Sequence, residues 1–142
     1  MSGVSGSPAA RELAATLALP PLERYGYLIH RLAAGGEGWA LRNAQGWVLI
    51  RGDQRGDERD AFCLWPHPAF AQACVREGWS DCAPEAVPLQ ELLEELLPAL
   101  AGDGLRLAAF PAPAGPVAIV DPRDFREHLS EELARQGREG VP

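Results

Sequence analysis

The sequence predicts a single α+β domain, in which helices pack against a mostly antiparallel sheet of about five short strands. Short apolar runs joined by turn-forming residues indicate β-hairpins. Segments with helical periodicity, several of them opened by proline, separate these hairpins. Hydrophobic residues make up 46% of the 142 residues, which is enough for one core. We expect the domain to span residues 8–136, between flexible tails at 1–7 and 137–142.

The first predicted elements are two helices. Ser7-Pro8 has the form of an N-cap followed by proline at the first helical position, and this helix is expected to end near Leu19. Pro20-Pro21 then start a second helix, whose apolar residues repeat at helical spacing. Gly35-Gly36 are expected to end it, since glycine is common just after a helix.

The next segment predicts a hairpin, a third strand and a short helix. Residues 39–42 and 47–51 flank an Asn-Ala-Gln-Gly sequence that favours a tight turn. A wholly polar loop over residues 52–60 precedes the third strand, at 62–65. Proline then opens a helix expected over residues 68–77.

The rest of the chain predicts a helix, two strands and a last helix. Leucines from 89 to 100 form a broad stripe opposite glutamates, which is typical of a strongly amphipathic helix. Strands are expected at 105–110 and 117–120, joined by a Pro-Ala-Pro-Ala-Gly turn. Asp121-Pro122 is a strong helix start, and residues 79–87 are the hardest to assign, with an extended conformation as one option.

The charge of the chain argues against two classes of partner. Its formal net charge is −7 and all 13 basic residues are arginine, a composition typical of a GC-rich bacterial genome. Nucleic-acid binding and docking on anionic membranes usually need a basic face, which a net negative charge disfavours although it leaves room for a local basic patch. No apolar run approaches the roughly 18–20 residues that span a bilayer, and the N-terminus does not resemble a secretory signal. We therefore expect a cytoplasmic protein that binds neither nucleic acid nor membrane.

The candidate metal ligands and catalytic residues have weak patterns. Cys63, His67, Cys74 and Cys82 lack the paired spacing of a structural zinc site, so we expect no metal and no cofactor. His67 lies at a predicted helix start, where the helix dipole would favour a neutral base. Its flanking prolines favour a simple turn residue instead, and no residue is assigned as catalytic.

The tryptophans are the first candidate binding residues. Tryptophan supplies large buried areas and is also enriched at interaction hot spots. Most of the four are expected to pack in the core, with one or two lining a groove for a protein partner. The four are Trp39, Trp47, Trp65 and Trp79.

The polar loop supplies the second set of candidate binding residues. Its carboxylates lack calcium-loop spacing and lie beside arginines, which is typical of a solvated, charge-balanced loop. Presentation of these carboxylates to a basic protein partner is the functional alternative. They are Asp53, Asp57, Glu58 and Asp60.

An ordered series of short motifs resembles one family. The series is Arg24-Tyr25-Gly26-Tyr27-Leu28-Ile29, Trp39-Ala40-Leu41 with Gly46-Trp47, Leu64-Trp65-Pro66 with Phe70-Ala71, Leu97-Pro98, Phe110-Pro111-Ala112-Pro113 and Asp121-Pro122-Arg123-Asp124-Phe125. It resembles the bacterial domain of unknown function 2750 family over roughly residues 22–136. The resemblance implies a compact cytosolic bacterial domain and supplies no catalytic or ligand-binding residues.

Two functions from different classes follow. The favoured one is a non-enzymatic protein-interaction domain, such as an adaptor or immunity-like protein, that binds another protein or a second copy of itself. The alternative is a small enzyme or ligand-binding domain with a tryptophan-lined pocket. A deep pocket in which His67 or a cysteine meets further polar groups would favour that alternative.

Overall fold

The computed structural model describes residues 10–51, 59–76 and 78–139. Its helices are α1 (Ala10–Leu17), α2 (Pro21–Gly35), α3 (Pro68–Ala73), α4 (Leu89–Glu91), α5 (Leu97–Gly102) and α6 (Pro122–Glu139), and a π-helical segment (Leu92–Leu96) joins α4 to α5. Its strands are β1 (Glu37–Asn43), β2 (Gly46–Trp47), β3 (Leu49–Ile50), β4 (Ala61–Leu64), β5 (Ala83–Pro88), β6 (Arg106–Ala109) and β7 (Ala118–Val120). The N-cap predicted at Ser7-Pro8 lies outside the described residues.

The predicted α+β class with mostly antiparallel pairing is confirmed. The strands form two sheets, in the orders β2-β1-β5 and β3-β4-β6-β7, and every pair is antiparallel except β4 with β6. The described residues hold seven strands where the sequence predicted about five. One reason is that the second hairpin strand divides at Val48 into β2 and β3, and the other is that the segment before α4 forms β5.

A pair of backbone hydrogen bonds joins the two sheets. The Trp39 amide donates to the Trp65 carbonyl at 2.8 Å, and the Trp65 amide donates to the Trp39 carbonyl at 2.8 Å. Because β1 belongs to one sheet and Trp65 directly follows β4 of the other, this bridge fixes the sheets against each other. The predicted hairpin turn is also present, since Asn43 Oδ1 accepts from the Gln45 amide at 2.8 Å.

The core lies between the four-stranded sheet and the helices. All four residues of β4 are buried. Leu28 and Leu32 of α2 are fully buried, and so are Phe125 and Leu129 of α6. Leu22 in the first turn of α2 has the same helical spacing but is 78% exposed, so the apolar repeat of this helix is buried only farther along it. None of the described helices is long and apolar enough to cross a membrane.

Helix α3 is shorter than the sequence predicted. It ends at Ala73, and Cys74 caps it with a backbone outside the helical region. The Cys74 thiol lies 3.5 Å from the carbonyl oxygen of Pro111, far along the chain. Cys74 and Val75 continue the helical repeat of apolar residues, so periodicity alone predicted a helix longer than the one formed.

Two glycines should respond in opposite ways to alanine. A Cβ at Gly38 would lie 2.9 Å from Leu32 Cδ2 and 2.9 Å from Leu64 Cδ1, both on fully buried side chains. Gly38→Ala should therefore lower the free energy of unfolding by about 1–3 kcal/mol. Gly26 lies in the middle of α2 on its exposed face, and a Cβ there would meet nothing within 4 Å. Gly26→Ala should therefore raise the free energy of unfolding by about 0.5–1 kcal/mol. Urea unfolding measures both, and equal effects would contradict the packing at Gly38.

The start of α6 should make stability depend on pH. Asp121 Oδ1 accepts from the Arg123 amide at 2.8 Å, and Oδ2 lies 3.1 Å from Arg123 Nη2. The side-chain and backbone hydrogen bonds from Arg123 lower the pKa of Asp121 from 3.8 to about 2. A carboxyl group whose pKa is lower in the folded state stabilises that state at pH values above the group's ordinary pKa. This stabilisation is lost as the pH falls toward 2.

Asp121→Asn is the matched variant, because asparagine keeps the cap and removes the charge. Between about pH 5 and pH 2, wild type should lose up to about 1 kcal/mol more unfolding free energy than the variant. Chemical denaturation at stepped pH gives both curves. Parallel curves would show that the Asp121 carboxylate contributes nothing through its charge.

Candidate functional site

Two open grooves lie at the two ends of α3. The Trp39 groove has a volume of about 350 Å³ and is lined by Arg31, Gly35, Glu37, Trp39, Pro66, His67 and Pro68. The Trp79 groove has a volume of about 340 Å³ and is lined by Ile50, Cys74, Arg76, Trp79, Pro111, Ala112, Pro113, Gly115 and Val117. Because α3 has six residues, its length of roughly 9 Å separates the two ends.

The sheet explains why both grooves lie here. Strands β4 and β6 are the one parallel pair in the described sheets, so their carboxyl ends meet at the same edge. Pro66 follows β4 and lines the Trp39 groove, whereas Pro111 follows β6 and lines the Trp79 groove. Both grooves therefore lie beyond the shared carboxyl edge of β4 and β6.

Trp65 connects the two grooves. Its side chain is fully buried, and its indole Nε1 donates to the carbonyl oxygen of Pro111 at 2.9 Å. Its backbone forms the bridge to Trp39 described above. The indole of Trp65 thus positions Pro111 of the Trp79 groove, and the backbone of Trp65 positions Trp39 of the other groove.

A buried arginine holds the loop that forms one wall of the Trp79 groove. Arg24 is only 4% exposed, and burial lowers the pKa of its guanidinium. Its Nε donates to the Phe110 carbonyl at 2.8 Å, Nη2 to the Pro116 carbonyl at 2.7 Å and Nη1 to the Leu19 carbonyl at 2.6 Å. The guanidinium therefore closes both ends of the 110–116 loop onto α2.

Phe110 begins this loop in a strained conformation. Its φ is 61°, a left-handed value that residues with a side chain rarely adopt. Such a conformation costs about 1–3 kcal/mol and persists only where the surroundings hold it. The Phe110 ring is fully buried with its centroid 4.8 Å from that of Phe70, and its carbonyl accepts from Arg24.

The comparisons with known proteins now identify the family. The family described as "Protein of unknown function (DUF2750)" matches residues 25–129. The chain belongs to the DUF2750 family. No curated protein matches the chain, and no solved structure does either. The matched segment includes every residue that lines the two grooves of this DUF2750 member.

The structure does not bring the four predicted tryptophans together. Trp65 is in the core, while Trp39 and Trp79 are half-buried, one in each groove. Trp47 lies in neither groove. Its ring meets Phe62 edge-on at 5.6 Å and has the Arg42 guanidinium 4.9 Å from its centroid.

The predicted acidic surface falls mostly outside the described residues. Asp53, Asp57 and Glu58 are among the residues that the structure does not describe. Asp60 is described and is half-buried, and its carbonyl accepts from the Arg106 amide at 2.9 Å. An interaction of this loop with a basic partner therefore stays a prediction.

The cysteines are poor nucleophiles. Burial raises the pKa of the Cys63 thiol, and it raises the pKa of the Cys74 thiol to about 11. Burial and the neighbouring Asp81 carboxylate both raise the pKa of the Cys82 thiol. Thiols with raised pKa values stay protonated near neutral pH. Within residues 10–51, 59–76 and 78–139, no three His, Cys, Asp or Glu side chains are grouped to hold a metal ion.

The histidines make structural contacts. His67 Nδ1 accepts a hydrogen bond from the Ala69 amide at 3.0 Å and so caps α3. Burial, and to a smaller extent the positive charge of Arg31, lowers the pKa of His67. His67 is therefore neutral at pH 7 and carries its proton on Nε2. His30 Nδ1 lies 3.2 Å from Glu132, and His128 Nδ1 lies 2.6 Å from the Tyr25 hydroxyl. In the described part of the chain, no histidine is hydrogen-bonded to a cysteine or serine side chain.

Replacing Arg24 should destabilise this protein more than replacing an ordinary arginine. Arg24→Met leaves three carbonyls without their donor, one of them buried, so the free energy of unfolding should fall by at least about 2 kcal/mol. Arg126→Met is the matched control, because exposed Arg126 makes one bond, to the Leu93 carbonyl, and should cost about 1 kcal/mol or less. Urea unfolding compares the two. Equal losses would rule out a special role for Arg24.

Proposed function

We propose that this DUF2750 member is a non-enzymatic protein-interaction domain of the bacterial cytoplasm, and that the Trp39 groove binds an extended segment of its partner. The observation that carries the proposal is the groove itself. It is open to solvent and combines a tryptophan ring, two prolines and two charged side chains. Open surfaces of this composition are typical of peptide recognition.

The Trp39 indole supports binding of a partner. The side chain is half-buried, and its N–H has no hydrogen-bond partner among the described residues. Trp39 Nε1 is not among the buried unpaired atoms of the described residues, so its N–H is accessible to a carbonyl of a partner, and tryptophan at an interface offers one apolar face and one donor. The backbone that carries the ring is fixed, since the Trp39 amide and carbonyl both pair with Trp65.

The charges of the groove indicate the chemistry of the partner. Arg31 and Glu37 line it, and neither forms an ion pair within the part of the chain that the structure describes. Arg31 lies 5.9 Å from the centroid of the Tyr27 ring, a contact that leaves its charge available. A partner segment with one acidic and one basic residue would complement both groups.

The shape of the groove favours a proline-containing segment. Polyproline II segments have no internal hydrogen bonds, so their carbonyls need donors, and they dock in grooves lined with aromatic residues. The Trp39 groove offers donors at the Trp39 indole, Arg31 and His67 Nε2, beside the rings of Pro66 and Pro68. We therefore take an extended, proline-containing segment as the occupant.

The chemistry of the described side chains favours binding over catalysis. Cys63 and Cys74 are buried with raised pKa values, and the three histidines make structural contacts. Nucleophilic catalysis needs an activated nucleophile within reach of a base. The ligand-binding alternative has support of its own in the Trp79 groove.

A peptide titration tests the proposal. The probe is an octaproline peptide with aspartate at one end and arginine at the other, followed by NMR on ¹⁵N-labelled protein. We expect a saturable shift of the Trp39 indole resonance. Trp39→Phe keeps a ring but removes the indole N–H and its resonance, so its affinity is read from the backbone amide shifts of the groove residues. It should bind about five-fold more weakly, the equivalent of one hydrogen bond of ~1 kcal/mol.

Trp47→Phe is the matched control, because Trp47 lies in neither groove, and it should leave the affinity unchanged. A glycine-serine peptide with the same charged ends should bind more weakly than the proline peptide. Equal binding of the two peptides, equal effects of the two variants, or self-association that Trp39→Phe abolishes would each reject an extended proline segment as the occupant.

A further inference from the structure

We infer that the Trp79 groove is a separate binding site for a small carboxylate with a flat, apolar body, such as an aromatic acid. This goes beyond the protein-interaction function, and it rests on different residues. The Trp79 groove has one arginine and no described carboxylate, whereas the Trp39 groove has an arginine and a glutamate, and different residues hold its backbone.

Apolar and polar surface contribute about equally to the walls of the Trp79 groove. Ile50, Trp79 and Val117 contribute apolar side chains, and Pro111 and Pro113 contribute rigid rings. Its volume of about 340 Å³ is at the small end of the range for small-molecule sites, roughly 300–1,000 Å³. A fused bicyclic ring can stack on the indole within such a space.

The charge of this groove selects an anion. Arg76 is the one charged side chain among its described lining residues, and it has no ion-pair partner in the described ranges. The Cys74 thiol also lines the groove, and it stays protonated and uncharged because burial raises its pKa. The planar guanidinium of arginine matches a carboxylate with two parallel hydrogen bonds.

The backbone of the groove is arranged before any ligand arrives. Arg24 bonds the carbonyls of Phe110 and Pro116, and Trp65 and Cys74 both donate to the carbonyl of Pro111. A loop held at both ends loses little freedom when a ligand binds, so more of the contact energy appears as affinity. The strained φ of Phe110 supports a binding role for this loop, because strained backbone conformations cluster at sites that bind ligands.

The other groove gives an internal comparison. Glu37 lines the Trp39 groove and would repel a carboxylate there, whereas no carboxylate lines the Trp79 groove among its described residues. A small aromatic acid should therefore choose the Trp79 groove. This preference separates the present inference from the protein-interaction proposal, since each can fail while the other holds.

The test is an NMR titration of the full chain with 2-naphthoate and with its neutral analogue 2-naphthamide. We expect 2-naphthoate to shift the Trp79 indole resonance saturably and to bind about five-fold more tightly than the amide, the factor for an exposed ion pair of ~1 kcal/mol. Arg76→Gln should make the two probes equal in affinity. Arg76 is exposed, so this variant should fold like wild type.

Arg31→Gln is the matched control, because it removes the corresponding arginine of the Trp39 groove and should leave the affinities for 2-naphthoate and 2-naphthamide unchanged. Trp79→Leu, checked by thermal melting for retained folding and followed through the backbone amide shifts of the groove, should bind both probes more weakly because it removes the stacking surface. The inference is overturned if 2-naphthoate gives no saturable shift, if both probes bind wild type equally, or if Arg31→Gln rather than Arg76→Gln removes the preference for the acid.

Discussion

The hydrogen bonds of Trp65 are the constraint on which the rest of the structure depends. Its backbone exchanges two hydrogen bonds with Trp39 and so joins the two sheets, and its buried indole donates to Pro111. A buried N–H without a partner costs several kcal/mol, so a fully buried tryptophan specifies where its acceptor must lie. Trp65 therefore fixes the position of β1 and of the 110–116 loop at once.

Both grooves follow from this arrangement. The Trp39 groove forms where β1 meets the start of α3, and the Trp79 groove forms where the 110–116 loop faces the end of α3. Arg24 adds a second restraint on that loop, because its guanidinium donates hydrogen bonds to the backbone carbonyls of Phe110 and Pro116. The protein thus carries one half-exposed tryptophan in each groove on a rigid frame, which is the arrangement that binding loops on scaffolds generally use.

The sequence predicted the features that depend on neighbouring residues. Pro21, the hairpin turn after Asn43 and the Asp121-Pro122 helix start were all correct, because capping and turn chemistry act within a few residues. The parallel pairing of β4 with β6 was missed, because nothing local specifies which distant strand becomes a neighbour. Arg24 was missed as well: its acceptors are carbonyls, which every residue has, and the arginines were treated as a matter of composition.

Native-state hydrogen exchange of the Trp39 and Trp65 amides tests most directly whether the bridge between the sheets holds the fold together. Both amides donate in the bridge at 2.8 Å. If the bridge is essential, they exchange only through global unfolding, and their exchange free energies equal the unfolding free energy from urea. Exchange through a local opening of much lower free energy, at either amide, would show that the sheets are held by other contacts and would contradict the central role of Trp65.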